Sequence, residues 1–97
     1  MYATLFRIDL RAVSSVRERA RAGRSLAKTL GALGGFIAFI AFEAGDGDVS
    51  GLCICEDPAT LEEAQRLAAR WQHEHSEPND ADIQPIRTGK VIVQQGL

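Results

Sequence analysis

The spacing of hydrophobic and polar positions divides the chain into four predicted strands and two predicted helices. Residues 2–10 are rich in β-branched and aromatic types and predict the first strand. A run of apolar and small residues at three- and four-residue spacing then predicts an amphipathic helix; its members are Val16, Ala20, Gly23, Ala27, Leu30 and Leu33. The other face of this helix carries Arg17, Arg21, Arg24 and Lys28. We interpret this basic row as a solvated surface rather than a phosphate site, because the net charge of the chain is only −2.

Capping residues mark both ends of this helix. Ser14 or Ser15 can cap its N-terminus, and Glu18 follows Ser15 by three residues, as a capping box requires. The helix is predicted to end in the stretch G-A-L-G-G, where Gly34 or Gly35 can adopt the left-handed conformation. Phosphate-binding glycines follow a strand and open a helix, whereas these follow a helix and open a strand. A nucleotide-binding loop is therefore excluded.

The next two predicted strands, residues 36–44 and 49–56, are apolar on both faces. Strict alternation in the first of them puts Phe36, Ile40 and Phe42 on one face and Ile37, Phe39 and Ala41 on the other. A strand of this kind must be covered on both faces, either by the rest of the chain or by a partner.

Two cysteines, Cys53 and Cys55, lie in the second of these strands. Residues two apart in a strand point the same way, side by side, which is poor geometry for a mutual disulfide. No second cysteine or histidine pair completes a metal site around them. We interpret both as small apolar side chains of a buried strand.

The stretch A-G-D-G-D-V-S-G joins the two strands and has two possible interpretations. Its residues Asp46, Asp48, Ser50 and Gly51 match the opening of an EF-hand calcium loop. Such a loop lies between helices and ends with a glutamate at its twelfth position, whereas here the flanks are strands and that position is Asp57. Gly-Asp-Gly also supplies the positive φ angles that hairpins need. We predict a hairpin that binds no calcium.

The remaining sequence predicts a second helix and a final extended segment. Asp57-Pro58 caps the helix, which has the apolar stripe Leu61, Ala64, Ala68 and Trp71 and runs to residue 74 or 75. A polar loop with Pro78 and Asn79 follows it, and then an extended segment over residues 83–95. Because Pro85 cannot donate to a strand ladder, that part belongs at a sheet edge or outside the sheet.

The order of these elements, β-α-β-β-α-β, predicts a single α+β domain over residues 1–97 with the ferredoxin-like arrangement. Its two helices cover one face of a four-stranded antiparallel sheet. Nothing in the chain remains to cover the apolar side chains of the other face, and an exposed apolar face marks an interface. The simplest cover is a second copy of the same sheet, which predicts a homodimer.

Composition limits the classes of partner. The chain has 97 residues, of which 45% are hydrophobic and 25% charged, the values of an ordinary globular domain. A net charge of −2 offers no general field for nucleic acid or an anionic membrane. The longest apolar stretch is far short of the ~20 residues of a membrane helix. The N-terminus lacks the pattern of a signal peptide, so we expect a cytoplasmic protein that binds neither nucleic acid nor membrane.

Several stretches of the chain resemble the dimeric α+β barrel superfamily, in particular the small bacterial proteins grouped with antibiotic-biosynthesis monooxygenases. They are M-Y-A-T, G-G-F-I-A-F, A-G-D-G-D-V-S, C-E-D-P-A-T-L-E-E-A, L-A-A-R-W and T-G-K-V-I-V, and the resemblance extends along most of the sequence. None of these stretches is itself catalytic.

The resemblance implies two kinds of activity. Some members are cofactor-free oxygenases that act on aromatic polyketides in a pocket between sheet and helices. Others degrade haem and use an asparagine on the first strand, a tryptophan and a ligating histidine, but the one asparagine of this chain, Asn79, lies elsewhere. We therefore expect a cofactor-free monooxygenase acting on a small aromatic or polyketide-like molecule. The alternative is a non-catalytic small-molecule-binding or interaction module on the same fold.

Three residues are candidates for a ligand pocket. At about 100° per residue, His75 falls within the stripe of Trp71, one turn later, so the two can share a pocket; the alternative is that Trp71 is core and His75 a half-exposed helix end. Arg7 is a lone cation in an apolar strand. It can hold an anion in a pocket, or pair with an acidic residue across the sheet or dimer. Small Ala64 and Ala68 predict that the pocket lies between the second helix and the sheet.

Overall fold

The computed structural model describes residues 1–13, 15–75 and 82–97, except for the side chain of His75. The elements in chain order are β1 (Tyr2–Asp9), α1 (Val16–Gly31), β2 (Phe36–Gly45), β3 (Asp48–Cys55), α2 (Pro58–His75) and β4 (Asp82–Lys90). The predicted order β-α-β-β-α-β is confirmed. Ser14 and the predicted polar loop with Pro78 and Asn79 lie outside the described residues.

The four strands form one sheet in the order β2-β3-β1-β4, in which every neighbouring pair is antiparallel. This is the ferredoxin-like arrangement that the order of elements predicts. Pro85 lies in β4, at the edge of the sheet, as its missing N–H requires.

Register determines which side chains meet the helices. Phe6 lies opposite Gly51, and Ile8 opposite Val49, so alternate residues of β1 and β3 face the same side. These inward residues form one core with side chains from both helices; its largest fully buried members include Phe6, Leu26, Leu30 and Leu61. The two helices therefore cover one face of the sheet, and the opposite face is left open.

A bulge in β2 changes which of its side chains point to each face of the sheet, compared with strict alternation. The pairing of β2 with β3 shifts between Phe36 and Ala38, which inserts one extra residue into β2. As a result, Phe36 and Phe39 both pack against the core. The prediction that grouped Phe36 with Ile40 and separated it from Phe39 is wrong, because alternation holds only where the ladder has no extra residue.

The buried face of α1 is also rotated from its predicted position. Its buried residues are Arg19, Leu26 and Leu30, whereas Val16 is 70% exposed. The small residues Ala20 and Ala27 can lie beside the buried face of the helix, so their regular spacing does not determine which face packs against the sheet.

The helix caps follow the sequence closely. The hydroxyl of Ser15 accepts a hydrogen bond from the backbone N–H of Glu18 at 3.1 Å. The carboxylate of Asp57 accepts one from the N–H of Thr60 at 2.7 Å, and this bond lowers the pKa of Asp57. After α1, the residue with positive φ is Gly35, at 93°.

The predicted hairpin joins β2 to β3. Gly47 has φ of 84°, and its carbonyl accepts a hydrogen bond from the N–H of Leu10 at 2.7 Å. A Cβ at Gly47 would lie 2.6 Å from the Cα of Arg11, so the turn packs directly on the chain that leaves β1. The absence of calcium binding stays a prediction.

The open face of the sheet includes apolar side chains. Ile40 lies opposite Leu52, which lies opposite Leu5, and Ile40 is 53% exposed on the edge strand β2. Neither described helix is long and apolar enough to cross a membrane.

Candidate functional site

A cavity of about 370 Å³ lies between α1 and the β2 side of the sheet. Most of its lining is apolar, and it includes Ile8, Leu10, Phe39, Val49 and Trp71. The exposed side chain of Val16 lies at its rim. Both the volume and the apolar lining are typical of a small-molecule site.

Small residues on α1 leave this space open. Ala20, Gly23 and Ala27 all line the cavity. A Cβ added at Gly23 would meet no atom within 4 Å. Larger side chains on the neighbouring stripe, Leu26 and Leu30, are buried in the core and hold the helix in place. The cavity therefore follows from a helix that is anchored along one stripe and has little side-chain volume along the next.

Trp71 is one wall of the cavity. It is 4% exposed, and its indole N–H donates to the hydroxyl of Ser25 at 3.0 Å, which links α2 to α1. The sequence predicts a pocket near Trp71, but on the side of α2 that carries Ala64 and Ala68. Those two alanines are instead fully packed in the core and do not line the cavity. Their small side chains let α2 lie close to its neighbours.

Arg19 closes one end of the cavity and was not a candidate from sequence. Its side chain is 7% exposed. Nε and Nη2 donate to Glu43 at 3.1 and 3.3 Å, Nη2 donates to Asp46 at 2.8 Å, and Nη1 donates to the carbonyl of Val13 at 3.2 Å. The available signal was helical phase, because Arg19 precedes Leu26 by two turns and so shares its stripe.

The charges at this end are unequal. The hydrogen bonds to Glu43, and then the negative charges of Glu43 and Asp46, raise the pKa of Arg19. One guanidinium therefore meets two carboxylates. Of these three charged groups, Arg19 and Glu43 line the cavity, whereas the side chain of Asp46 is 92% exposed and lies outside the lining.

Arg7 lies on the other face of the sheet from this cavity. Its neighbours Phe6 and Ile8 point into the core, so Arg7 points to the open face. Its Nε is 3.9 Å from the carboxylate of Asp48 across the β1–β3 pair, and both side chains are exposed. Arg7 does not line the cavity of Trp71. The observed contact matches the predicted alternative of an acidic partner across the sheet.

A polar pocket of about 210 Å³ adjoins Arg7 on this open face. It is also lined by Asp9, Arg11, Asp82 and Gln84. Arg11 donates to Asp9 from Nε at 2.9 Å, and this side-chain hydrogen bond lowers the pKa of Asp9 to about 2. Asp9 and Arg11 are therefore paired with each other, and Asp82 accepts hydrogen bonds from Gln72 and Gln84.

His75 is the last residue of α2 and follows Trp71 by one helical turn. Its side chain lies outside the described residues, so its place in a pocket stays a prediction.

The two cysteines are buried in the core with their sulfurs 3.9 Å apart. Burial raises the pKa of the Cys53 thiol to about 12 and also raises that of Cys55. Both are free thiols, as the interpretation of small apolar side chains requires. Within residues 1–13, 15–75 and 82–97, no three His, Cys, Asp or Glu side chains are grouped to hold a metal ion.

By sequence, no protein-family model and no curated protein matches the chain. Comparison by structure finds several similar proteins. SnoaB, a cofactor-independent oxygenase from Streptomyces nogalater, aligns with a TM-score of 0.71 over 96% of this chain and 94% of its own, at 9% identity. MhuD, a heme-degrader from Mycobacterium tuberculosis with two hemes bound in its active site, gives 0.67 over 99% and 100%, at 14% identity.

A structure described as an antibiotic biosynthesis monooxygenase is also similar. It aligns with a TM-score of 0.58 over 90% of this chain and 97% of its own, at 13% identity. Identities this low carry information about architecture, and not about substrate or reaction. The resemblance predicted from sequence is thus confirmed for architecture: this chain has the ferredoxin-like fold of SnoaB, MhuD and the antibiotic biosynthesis monooxygenase structure.

Proposed function

We propose that the chain binds a small aromatic or polyketide-like molecule in the cavity beside α1 and oxidises it with molecular oxygen, without a cofactor. The observation that carries the proposal is an apolar cavity of about 370 Å³ with the indole of Trp71 in its wall. A flat apolar wall suits a planar ring system, and the volume suits a ligand of a few fused rings. SnoaB, a cofactor-independent oxygenase, has the same fold, so the fold is compatible with this class of reaction.

A reaction of this class needs a substrate that can give an electron to oxygen. A hydroxylated aromatic does so after it loses a proton, so a base beside the ring is required. We assign that role to His75, which follows Trp71 by one turn of α2. An imidazole ordinarily changes its charge near neutral pH and is therefore suited to accept such a proton.

Binding without turnover is the second candidate, and one observation favours it. Among the described residues that line the cavity, Glu43 is the one side chain that could accept a proton. Its carboxylate is already hydrogen-bonded to Arg19 at 3.1 Å. If His75 does not reach the cavity, the site has no free base, and the chain is then a small-molecule-binding module.

The binding part is tested by filling the cavity from Gly23. We expect a hydroxylated anthrone to quench the fluorescence of Trp71, the one tryptophan of the chain, in a saturable way. Gly23→Leu projects a side chain into open space and should weaken binding by about tenfold or more, a loss of at least about 1.4 kcal/mol. Gly23→Ala is the control. It adds one methyl group, should keep the ligand and should stabilise α1 by up to about 1 kcal/mol.

The catalytic part is tested by oxygen uptake with the same anthrone. Turnover that is lost in His75→Ala while quenching persists would support the oxygenase with His75 as its base. Saturable quenching with no oxygen uptake by the unaltered chain would support the binding module. Equal affinity in Gly23→Leu and the unaltered chain would contradict both, because the ligand would then lie elsewhere.

We also propose that a second copy of the chain covers the open face of the sheet. The support is the apolar set Leu5, Ile40 and Leu52 on that face, with Ile40 half exposed in the single chain. A two-fold pair of sheets would bury these residues without any additional segment.

A further inference from the structure

We propose that Arg24 forms a subsite for an anionic group of the ligand at the mouth of the α1 cavity. The preferred ligands would then be aromatic acids or phenolates rather than neutral aromatic molecules. This inference rests on the proposed function, because it concerns the substrate class of the same cavity.

The other guanidinium in the cavity lining, that of Arg19, is not available to a ligand. All three of its nitrogens donate to protein oxygens at 2.8 to 3.3 Å. Within the cavity lining, its charge is matched by the carboxylate of Glu43. An anionic ligand group therefore finds no free cation at this end of the cavity.

Arg24 also lines the cavity, but it lies at a different position along α1 and its side chain is exposed. It follows Arg19 by five residues, which is about 7.5 Å along the axis of α1 and about 140° around it. Its side chain is exposed at the mouth, and the described part of the chain places no carboxylate in an ion pair with it. The lining thus has a charge-paired end and a positive mouth, which would orient a ligand with its anionic group outward.

Arg24 differs in this respect from the other members of the basic row. Arg17, Arg21 and Lys28 are exposed on α1 and do not line the cavity. The row predicted to be a solvated surface therefore contributes one guanidinium to the cavity. Its neighbours provide matched controls with the same helix and the same charge.

The experiment compares two ligands that differ by one carboxylate, 2-naphthol and 3-hydroxy-2-naphthoate. Their dissociation constants are measured at neutral pH, from Trp71 quenching, in the unaltered chain, Arg24→Gln and Arg21→Gln. We expect Arg24→Gln to weaken the acid about three- to tenfold and to leave the naphthol unchanged within about twofold, as for a partly hydrated ion pair. Arg21→Gln should change neither dissociation constant, and added salt should weaken the binding of the acid but not that of the naphthol.

The two dissociation constants distinguish the Arg24 subsite from the cavity as a whole. If the ratio of the two dissociation constants is the same in all three proteins, the Arg24 subsite is overturned. If Gly23→Leu nevertheless abolishes the binding of naphthol, the proposal that the cavity binds aromatic ligands is still supported. An equal loss for acid in Arg24→Gln and Arg21→Gln also overturns the subsite, because it reports only the general charge of α1. No binding of either ligand to the unaltered chain overturns the subsite and the aromatic-ligand proposal together.

Discussion

The guanidinium of Arg19 donates two hydrogen bonds to the carboxylate of Glu43, from Nε to Oε2 at 3.1 Å and from Nη2 to Oε1 at 3.3 Å. This pair joins the first turn of α1 to the end of β2, across one end of the cavity. Asp46 in the hairpin turn accepts a further bond from Nη2 at 2.8 Å. Charged groups therefore join the helix to the edge strand at this end of the cavity.

We expect the effects of substituting Arg19 and Glu43 on the free energy of unfolding to depend strongly on each other. Glu43→Ala leaves a buried guanidinium with fewer acceptors, so the urea midpoint of unfolding should fall. Arg19→Met replaces the buried stem without its charge and should lower the midpoint too. The double variant should lose less than the sum of the two single losses. Glu62→Ala, at an exposed position of α2, is the control and should change the midpoint little. Additive losses would show that the pair does not act as a unit.

Gly47 should be the most sensitive position of the hairpin. Its φ of 84° is unfavourable for other residues, and a Cβ there would lie 2.6 Å from the backbone of Arg11. We expect Gly47→Ala to reduce the free energy of unfolding by about 2–4 kcal/mol, measured by urea denaturation. Gly45→Ala is the matched control, because a Cβ at Gly45 meets nothing within 4 Å. Similar effects at both positions would contradict the packing of the turn against the end of β1.

The proposed homodimer is tested at Ile40, on the open face. The unaltered chain should sediment at micromolar concentration with twice the mass of 10.5 kDa. Ile40→Lys should shift it toward the monomer, because the new charge would be buried between the two sheets. Ala69→Lys adds the same charge at an exposed position of α2 and should leave the dimer intact. A monomeric unaltered chain would mean that the open face is not covered by a second copy.

The stability of the chain should fall at alkaline pH because of Cys53. Burial raises the pKa of this thiol to about 12 in the folded chain, whereas the pKa of a thiol in an unfolded chain is about 8.5. The stabilising contribution is complete below the unfolded pKa and is lost as the pH rises toward the folded value. We expect a loss of about 1.4 kcal/mol for each pH unit above the unfolded pKa, from urea denaturation between pH 7 and 10.

The variant Cys53→Ala separates this effect from the titration of other groups. It should be less stable than the unaltered chain at pH 7, because it loses a buried sulfur. Its stability should then fall less steeply with pH than that of the unaltered chain. Parallel pH profiles for the two proteins would contradict a buried, protonated Cys53.

The sequence alone was sufficient for the architecture. The order of elements, the caps at Ser15 and Asp57 and the hairpin around Gly47 are all confirmed. These features depend on residues within a few positions of one another along the chain. Local backbone preference and the period of apolar residues therefore determine them, and the order of the elements then restricts the sheet to few topologies.

The place of the candidate site required the tertiary structure. Ala64 and Ala68 predicted open space beside α2, whereas the space lies beside Ala20, Gly23 and Ala27 of α1. A small residue produces a cavity only where larger neighbours hold its helix away from the sheet, and elsewhere it lets the helix move closer. The same applies to charge. Whether Arg19 is solvated or buried depends on Glu43 and Asp46, which are distant in sequence and reach it only through the hairpin.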